Sequence, residues 1–143
     1  MNSEILEIRT DNMPAEMRSL LCDYPRDSWP AHPGFKDKTR QWLGAHQMFR
    51  KLSAVVREDI ESYLAGNSDA KDYRSRLSYL GGRLVGNLHA HHSWEDHSYF
   101  PELSVADARF NAGFMILEND HLILNQALDR FVAIGNRAIN LIQ

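Results

Sequence analysis

One cysteine, Cys22, in 143 residues leaves no internal disulfide framework and no cysteine-built zinc site. An excess of positive charge is also missing. Sixteen Lys and Arg against 19 Asp and Glu give a net charge of −3, which argues against a nucleic-acid partner. No apolar run approaches the ~20 residues of a membrane span, so no membrane partner is expected. The N-terminus, MNSEILEIRTDN, lacks the cationic start and apolar stretch of a signal peptide. The expected compartment is therefore the reducing cytoplasm. Proline is absent between Pro33 and Pro101, and over that interval nothing forbids long helices.

Apolar residues make up 43% of the chain, enough for one real core. Residues 1–12 read as a strand or coil, and residues 13–22 as a short helix with Pro14 in its first turn. The stretch DYPRDSWPAHPGF then reads as an extended arm, because Pro25, Pro30 and Pro33 bias their predecessors away from helix. From residue 36 the apolar spacing becomes helical. The pattern predicts an all-α fold of three long helices, at 36–65, 69–100 and 107–140. Gly66 ends the first, Asp69 or Ser68 caps the second, and Pro101 stops it. Gly81, Gly82 and Gly86 weaken the second helix or admit another backbone. Residues 1–35 form an N-terminal segment, and residues 36–143 the helical domain.

The segment HAHHSWEDHSYFP, residues 89–101, holds four of the seven histidines. A helix advances about 100° per residue, so facing follows from position. His46 lies within about 60° of Trp42, Phe49, Ile60 and Leu64 on the first helix. His91 shares the stripe of Tyr73, Leu77, Leu80 and Leu84, and Glu95 falls within about 40° of it. His121 sits at the centre of a stripe of Phe110, Phe114, Leu117 and Leu128. His92 lies on the flank of its stripe, Asp96 and His89 lie further out, and His97 faces away.

A lone inward histidine is ordinarily a hydrogen-bonded core residue. Three inward histidines with an inward glutamate are different, because burying them in apolar stripes demands several polar partners. His91 and Glu95 are one helical turn apart, so both reach one ion. Helical bundles build metal sites from such inward imidazole and carboxylate groups. His89 and His97 read as surface groups. Trp29, Trp42 and Trp94 read as packing residues.

The blocks WLGAHQMFRKL, HHSWEDHSYFPEL and LENDHLIL together resemble the hemerythrin-like HHE cation-binding domains. The likeness covers roughly residues 36–130. It implies an up-down four-helix bundle with a non-haem iron pair in its core. The ligands it implies are His46, His91, Glu95 and His121, with His92 at a neighbouring ligand-type position. The sequence departs from the oxygen carriers of that family at Asn125, where a second histidine would follow His121 by four residues. A fourth helix with a further histidine and carboxylate is not visible before Gln143, so the fourth side of the site is expected to be absent or supplied from elsewhere.

The leading expectation is a di-iron protein for oxygen, redox or iron sensing, or for iron handling, with dioxygen or peroxide as partner. Imidazole and carboxylate ligands also suit zinc or manganese. The alternatives are a di-iron enzyme of peroxide or oxygen chemistry, with Tyr99 beside the site, and a metal-free helical interaction module. A metal-binding protein is favoured over an enzyme. Three helices without a fourth leave an apolar trough, expected along Trp42, Phe49, Leu84, Leu88, Phe114 and Leu128. A second copy of the chain is the expected cover, giving a homodimer.

Overall fold

A computed structural model describes residues 14–142, so the strand-or-coil reading of residues 1–12 falls outside the described residues. Among the described residues every regular element is helical. A short helix α1, Ala15–Asp23, is followed by a 3₁₀ turn, Arg26–Ala31. Then come α2, Asp37–Leu64, and a helical run made of α3, Ala70–Arg76, α4, Gly82–Trp94, and α5, Phe100–Ala106. Wide π turns join α3 to α4 at Leu77–Gly81 and α4 to α5 at Glu95–Tyr99. A 3₁₀ turn, Ala108–Phe110, leads into α6, Asn111–Leu141. The three long helical stretches expected from the sequence are present. No helix among the described residues is long and apolar enough to cross a membrane.

The ends of the helices follow local chemistry. Gly66 has φ +74°, the left-handed conformation that glycine adopts most cheaply. Its N–H donates to the Tyr63 carbonyl at 3.0 Å, and the Asn67 N–H donates to the Ser62 carbonyl at 2.9 Å. This is a Schellman ending for α2. Asp69 caps α3, its carboxylate accepting from the N–H groups of Lys71 at 2.8 Å and Asp72 at 3.2 Å.

Three sequence expectations are corrected. The arm is not extended throughout, because Arg26–Ala31 winds into a 3₁₀ turn. Ser28 Oγ donates to the Pro25 carbonyl at 2.7 Å, and Trp29 Nε1 donates to the Tyr24 carbonyl at 2.6 Å, which folds the segment back on itself. Pro101 does not stop the second helix, which continues to Ala106. The π turn before it hands the Phe100 N–H to the Glu95 carbonyl, and Pro101 falls in the first turn of α5, where its missing N–H costs nothing. The third helix begins at Asn111, after Asp107 has broken the chain with an extended backbone.

The described residues fall into two compact units. In the unit of residues 36–91 and 128–142, Val56, Tyr73, Leu77 and Leu84 form the core. Phe131 and Ile139 of α6 pack against them. A Cβ on Gly81 would lie 3.3 Å from the Phe131 ring, so the absent side chain is what lets that ring approach. Arg76 of α3 forks onto Asp59 of α2 with two contacts of 2.9 Å. In the unit of residues 14–35 and 92–127, Phe100 stacks on Phe114 with ring centres 4.6 Å apart. The Met17 thioether of α1 occupies the space that a side chain on Gly113 would need.

The expected apolar trough does not lie where the sequence put it. Phe49, Leu84, Phe114 and Leu128 are all buried. Leu84 belongs to the core with Val56, Tyr73 and Leu77, and Phe114 is covered by Phe100. The exposed large apolar side chains are others, among them Met115, Leu122 and Ile134 of α6. Leu64, assigned to the inner stripe of α2, is 78% exposed because it sits in the last turn before Gly66 ends the helix. These positions set a contrast in stability. Leu77→Ala should cost about 2–5 kcal/mol by leaving a cavity, while Leu64→Ala should cost less than about 0.5 kcal/mol. Urea unfolding of both variants checks this, and equal losses would contradict the packing described.

Candidate metal centre

The sequence-predicted ligands occur in two groups, one in each unit. In the unit of residues 36–91 and 128–142, α2 presents His46 and α4 presents His91. Their Nε2 atoms face each other at 3.4 Å, with the rings edge to face. His46 Nδ1 donates to the Trp42 carbonyl one turn back, at 2.9 Å. That bond fixes the tautomer, so Nε2 is the nitrogen turned toward His91 with its lone pair available. Phe49, buried, packs against the His91 ring at 5.0 Å between centres. The Trp42 carbonyl is a participant that sequence reasoning missed, since a backbone oxygen leaves no residue signature.

In the unit of residues 14–35 and 92–127, His92, Glu95 and His121 converge. One ligand atom from each lies within 4.8 Å of the other two. All three are buried, with Glu95 only 2% exposed. His121 Nε2 stands 3.3 Å from Glu95 Oε2, while its Nδ1 donates to Asp96 Oδ1 at 2.7 Å. The rings of His92 and His121 stack with centres 4.2 Å apart. Phe100 lies parallel to His121 on a 5.9 Å spacing.

His92, which the sequence placed on the flank of its stripe, is thus as buried as His121. Asp96, assigned to the outside, does reach a ligand-type histidine, and it does so on the outward nitrogen. The exposed His89 and His97 match their outward reading. His97 Nδ1 repeats the bond seen at His46, donating to the Ser93 carbonyl at 2.9 Å, but on the surface.

The donor chemistry fits a cation. Two imidazole nitrogens and a carboxylate oxygen are brought together in a buried place, and a second carboxylate holds the outward N–H of one imidazole. Carboxylate–imidazole–metal arrangements are built this way, because the outer carboxylate orients the ring and raises its basicity. His46 repeats the device with a carbonyl in place of the carboxylate.

The model of one protein family, hemerythrin, described as the HHE cation-binding domain, matches residues 37–140. Neither a curated protein nor a solved structure matches the chain.

The His121 ring titrates above the ordinary histidine value of 6.5. Burial is the largest single influence and pulls downward. The hydrogen bonds to Glu95 and Asp96, with the charges of both, together outweigh it. A histidine raised on folding contributes stability that is complete below its unfolded value and is lost as pH climbs through the folded one. Metal-free protein should therefore lose thermal stability as pH rises from about 6.5 upward. Asp96→Asn should flatten that slope. Melting temperatures measured across this range in a chelating buffer check it, and an unchanged slope in Asp96→Asn would remove Asp96 from the cause.

Proposed function

Since the chain belongs to the hemerythrin HHE cation-binding family, we propose that it holds a non-haem iron pair and serves oxygen, redox or iron sensing, or iron handling. The binding domain is residues 36–143, with residues 1–35 an accessory segment. The proposed ligands are His46, His91, Glu95, His121 and His92. The observation that carries the reading is the buried pair of Glu95 and His121, with the half-buried Asp96 beside it. Glu95 meets the inner nitrogen of His121, and Asp96 holds the outer one. Hard carboxylate and borderline imidazole donors suit iron, and also manganese or zinc. Bound iron would supply one-electron redox chemistry and a coordination position for dioxygen or peroxide.

The residues divide the work. His46 and His121 have their Nδ1 hydrogens committed to Trp42 and Asp96, so each offers Nε2 in a fixed orientation. Glu95 supplies negative charge in a place that excludes water. Phe49 packs on the His91 ring, and Phe100 lies parallel to the His121 ring. A di-iron enzyme acting on peroxide is the second reading. Tyr99 supports it, being 2% exposed and stacked on Trp94 with ring centres 4.8 Å apart. The dimer reading rests on Met115 and Leu122, 68% and 64% exposed and seven residues apart on one face of α6. A cytoplasmic location accompanies this reading.

Metal analysis of the purified chain with its near-ultraviolet spectrum tests the proposal. Iron near two per chain with oxo-bridged ferric absorption is expected, whereas zinc would be spectrally silent. A folded, metal-free protein that takes up no ferrous ion would favour a helical interaction module instead. Glu95→Ala should lose most of the metal. Asp96→Ala should weaken affinity by about 10–100-fold, as loss of an orienting partner does. Equal loss in both variants at equal helical content would reverse the roles given to the two acids. Light scattering at micromolar concentration should find a dimer that Met115→Glu with Leu122→Glu dissociates, and a monomeric parent chain would end the dimer reading.

A further inference from the structure

The unit of residues 36–91 and 128–142 carries a feature that shares no residue with the metal ligands. A cleft of about 650 Å³ opens on its surface, within the size range of small-molecule sites. Arg74, Ser75, Ser78, Tyr79 and Arg83 line its polar wall. Arg83 Nη1 donates to the Tyr79 hydroxyl at 3.1 Å, and its guanidinium lies over the Tyr79 ring at 5.7 Å. These contacts hold one cation against the wall in a set orientation. Arg74 Nη1 lies 3.5 Å from the Ile142 carbonyl.

The cleft continues into a narrower groove of about 120 Å³, with which it shares Ser78, Gly82 and Ile139. The groove is apolar, with Leu77, Val85, Phe131 and Val132 along it. A Cβ on Gly82 or Gly135 would meet nothing within 4 Å, so the space above both glycines is open. None of the residues lining cleft or groove is acidic. A doubly cationic, hydroxyl-bearing mouth therefore leads onto an open, apolar floor. An inorganic anion satisfies only the mouth, and a neutral apolar molecule only the floor.

We propose that this cleft binds an amphipathic anion, a carboxylate on an unbranched alkyl chain. The head group lies against Arg74 and Arg83, with Ser75 and Ser78 as further donors. The tail runs along Gly82 and Gly135 toward Phe131 and Val132. Guanidinium groups suit a planar carboxylate because their N–H groups present a matching fork.

Isothermal titration of the full chain, as purified, tests the assignment. The probes are octanoate, decanoate and dodecanoate below micelle formation, with 1-octanol and inorganic phosphate as partial mimics. A fully buried methylene strengthens binding about fourfold and a half-buried one about twofold, so decanoate should bind about four- to fifteenfold tighter than octanoate. Arg83→Gln should weaken decanoate about tenfold and leave 1-octanol unchanged. Gly135→Leu fills the groove with a better helix former and should weaken decanoate about tenfold or more, at unchanged helical content. Phosphate binding as tight as decanoate, or no dependence on chain length, would reveal a plain anion site and overturn the proposal. So would decanoate binding that neither variant alters, or no decanoate binding at all.

Discussion

A carboxylate with 2% exposure is the constraint around which the cluster of His92, Glu95 and His121 is organised. Moving an ionised carboxyl group out of water is among the largest costs a small fold can carry, unless a cation or strong donors replace the lost hydration. Glu95 is placed where imidazoles surround it, with His121 3.3 Å away and His92 in the same cluster. A proton on His121 partly answers the charge in the metal-free state, which is the physical content of its raised titration. A divalent cation answers it more completely, since it replaces a shared proton with two formal charges at the same spot. The cluster is therefore more than a packing solution. Aliphatic side chains of similar volume would fill the same space without the desolvation cost.

Orientation follows from the outward nitrogens. An imidazole can present either nitrogen, and a ring free to choose presents the wrong one part of the time. Asp96 removes that choice for His121, and the Trp42 carbonyl removes it for His46. The two anchors differ in charge. A carboxylate makes the ring more basic than a carbonyl does, so the two histidines are not equivalent donors. His91 makes ring contacts with His46 and Phe49.

Much of this was legible in the sequence, for reasons that can be named. The spacing of apolar residues gave the three long helices, because α-helical periodicity is a local property and none of these segments contains an interrupting proline before Pro101. The inward facing of His46, Glu95 and His121 was computable from the same period. What was not legible is how the helix continues through the second π turn, Glu95–Tyr99. A π turn adds a residue to the ladder and rotates everything after it by about 100° relative to an ideal wheel. The wheel drawn from His91 set Asp96 outside the apolar stripe, and from that edge it reaches the outward nitrogen of His121. It also treated Pro101 as a stop, though the residue falls in the first turn of α5, where a proline is tolerated. The trough failed for a different reason. Helical period says which face is apolar, but whether that face is covered depends on contacts between distant segments, such as Phe100 on Phe114.

Both irregular turns in the second helix coincide with places where the chain does something beyond packing. The first, Leu77–Gly81, ends at the glycine that lets Phe131 approach, and it borders the cationic cleft. The second, Glu95–Tyr99, begins at the buried carboxylate itself. Such turns strain a helix because their hydrogen bonds are longer in register and poorer in geometry, so they persist only where surrounding contacts hold them. At the second turn those contacts are the stack of Trp94 on Tyr99 and the burial of Phe100. Aromatic packing around the turn thus stabilises a backbone distortion, and two consecutive acids of that turn, Glu95 and Asp96, meet the two nitrogens of one histidine.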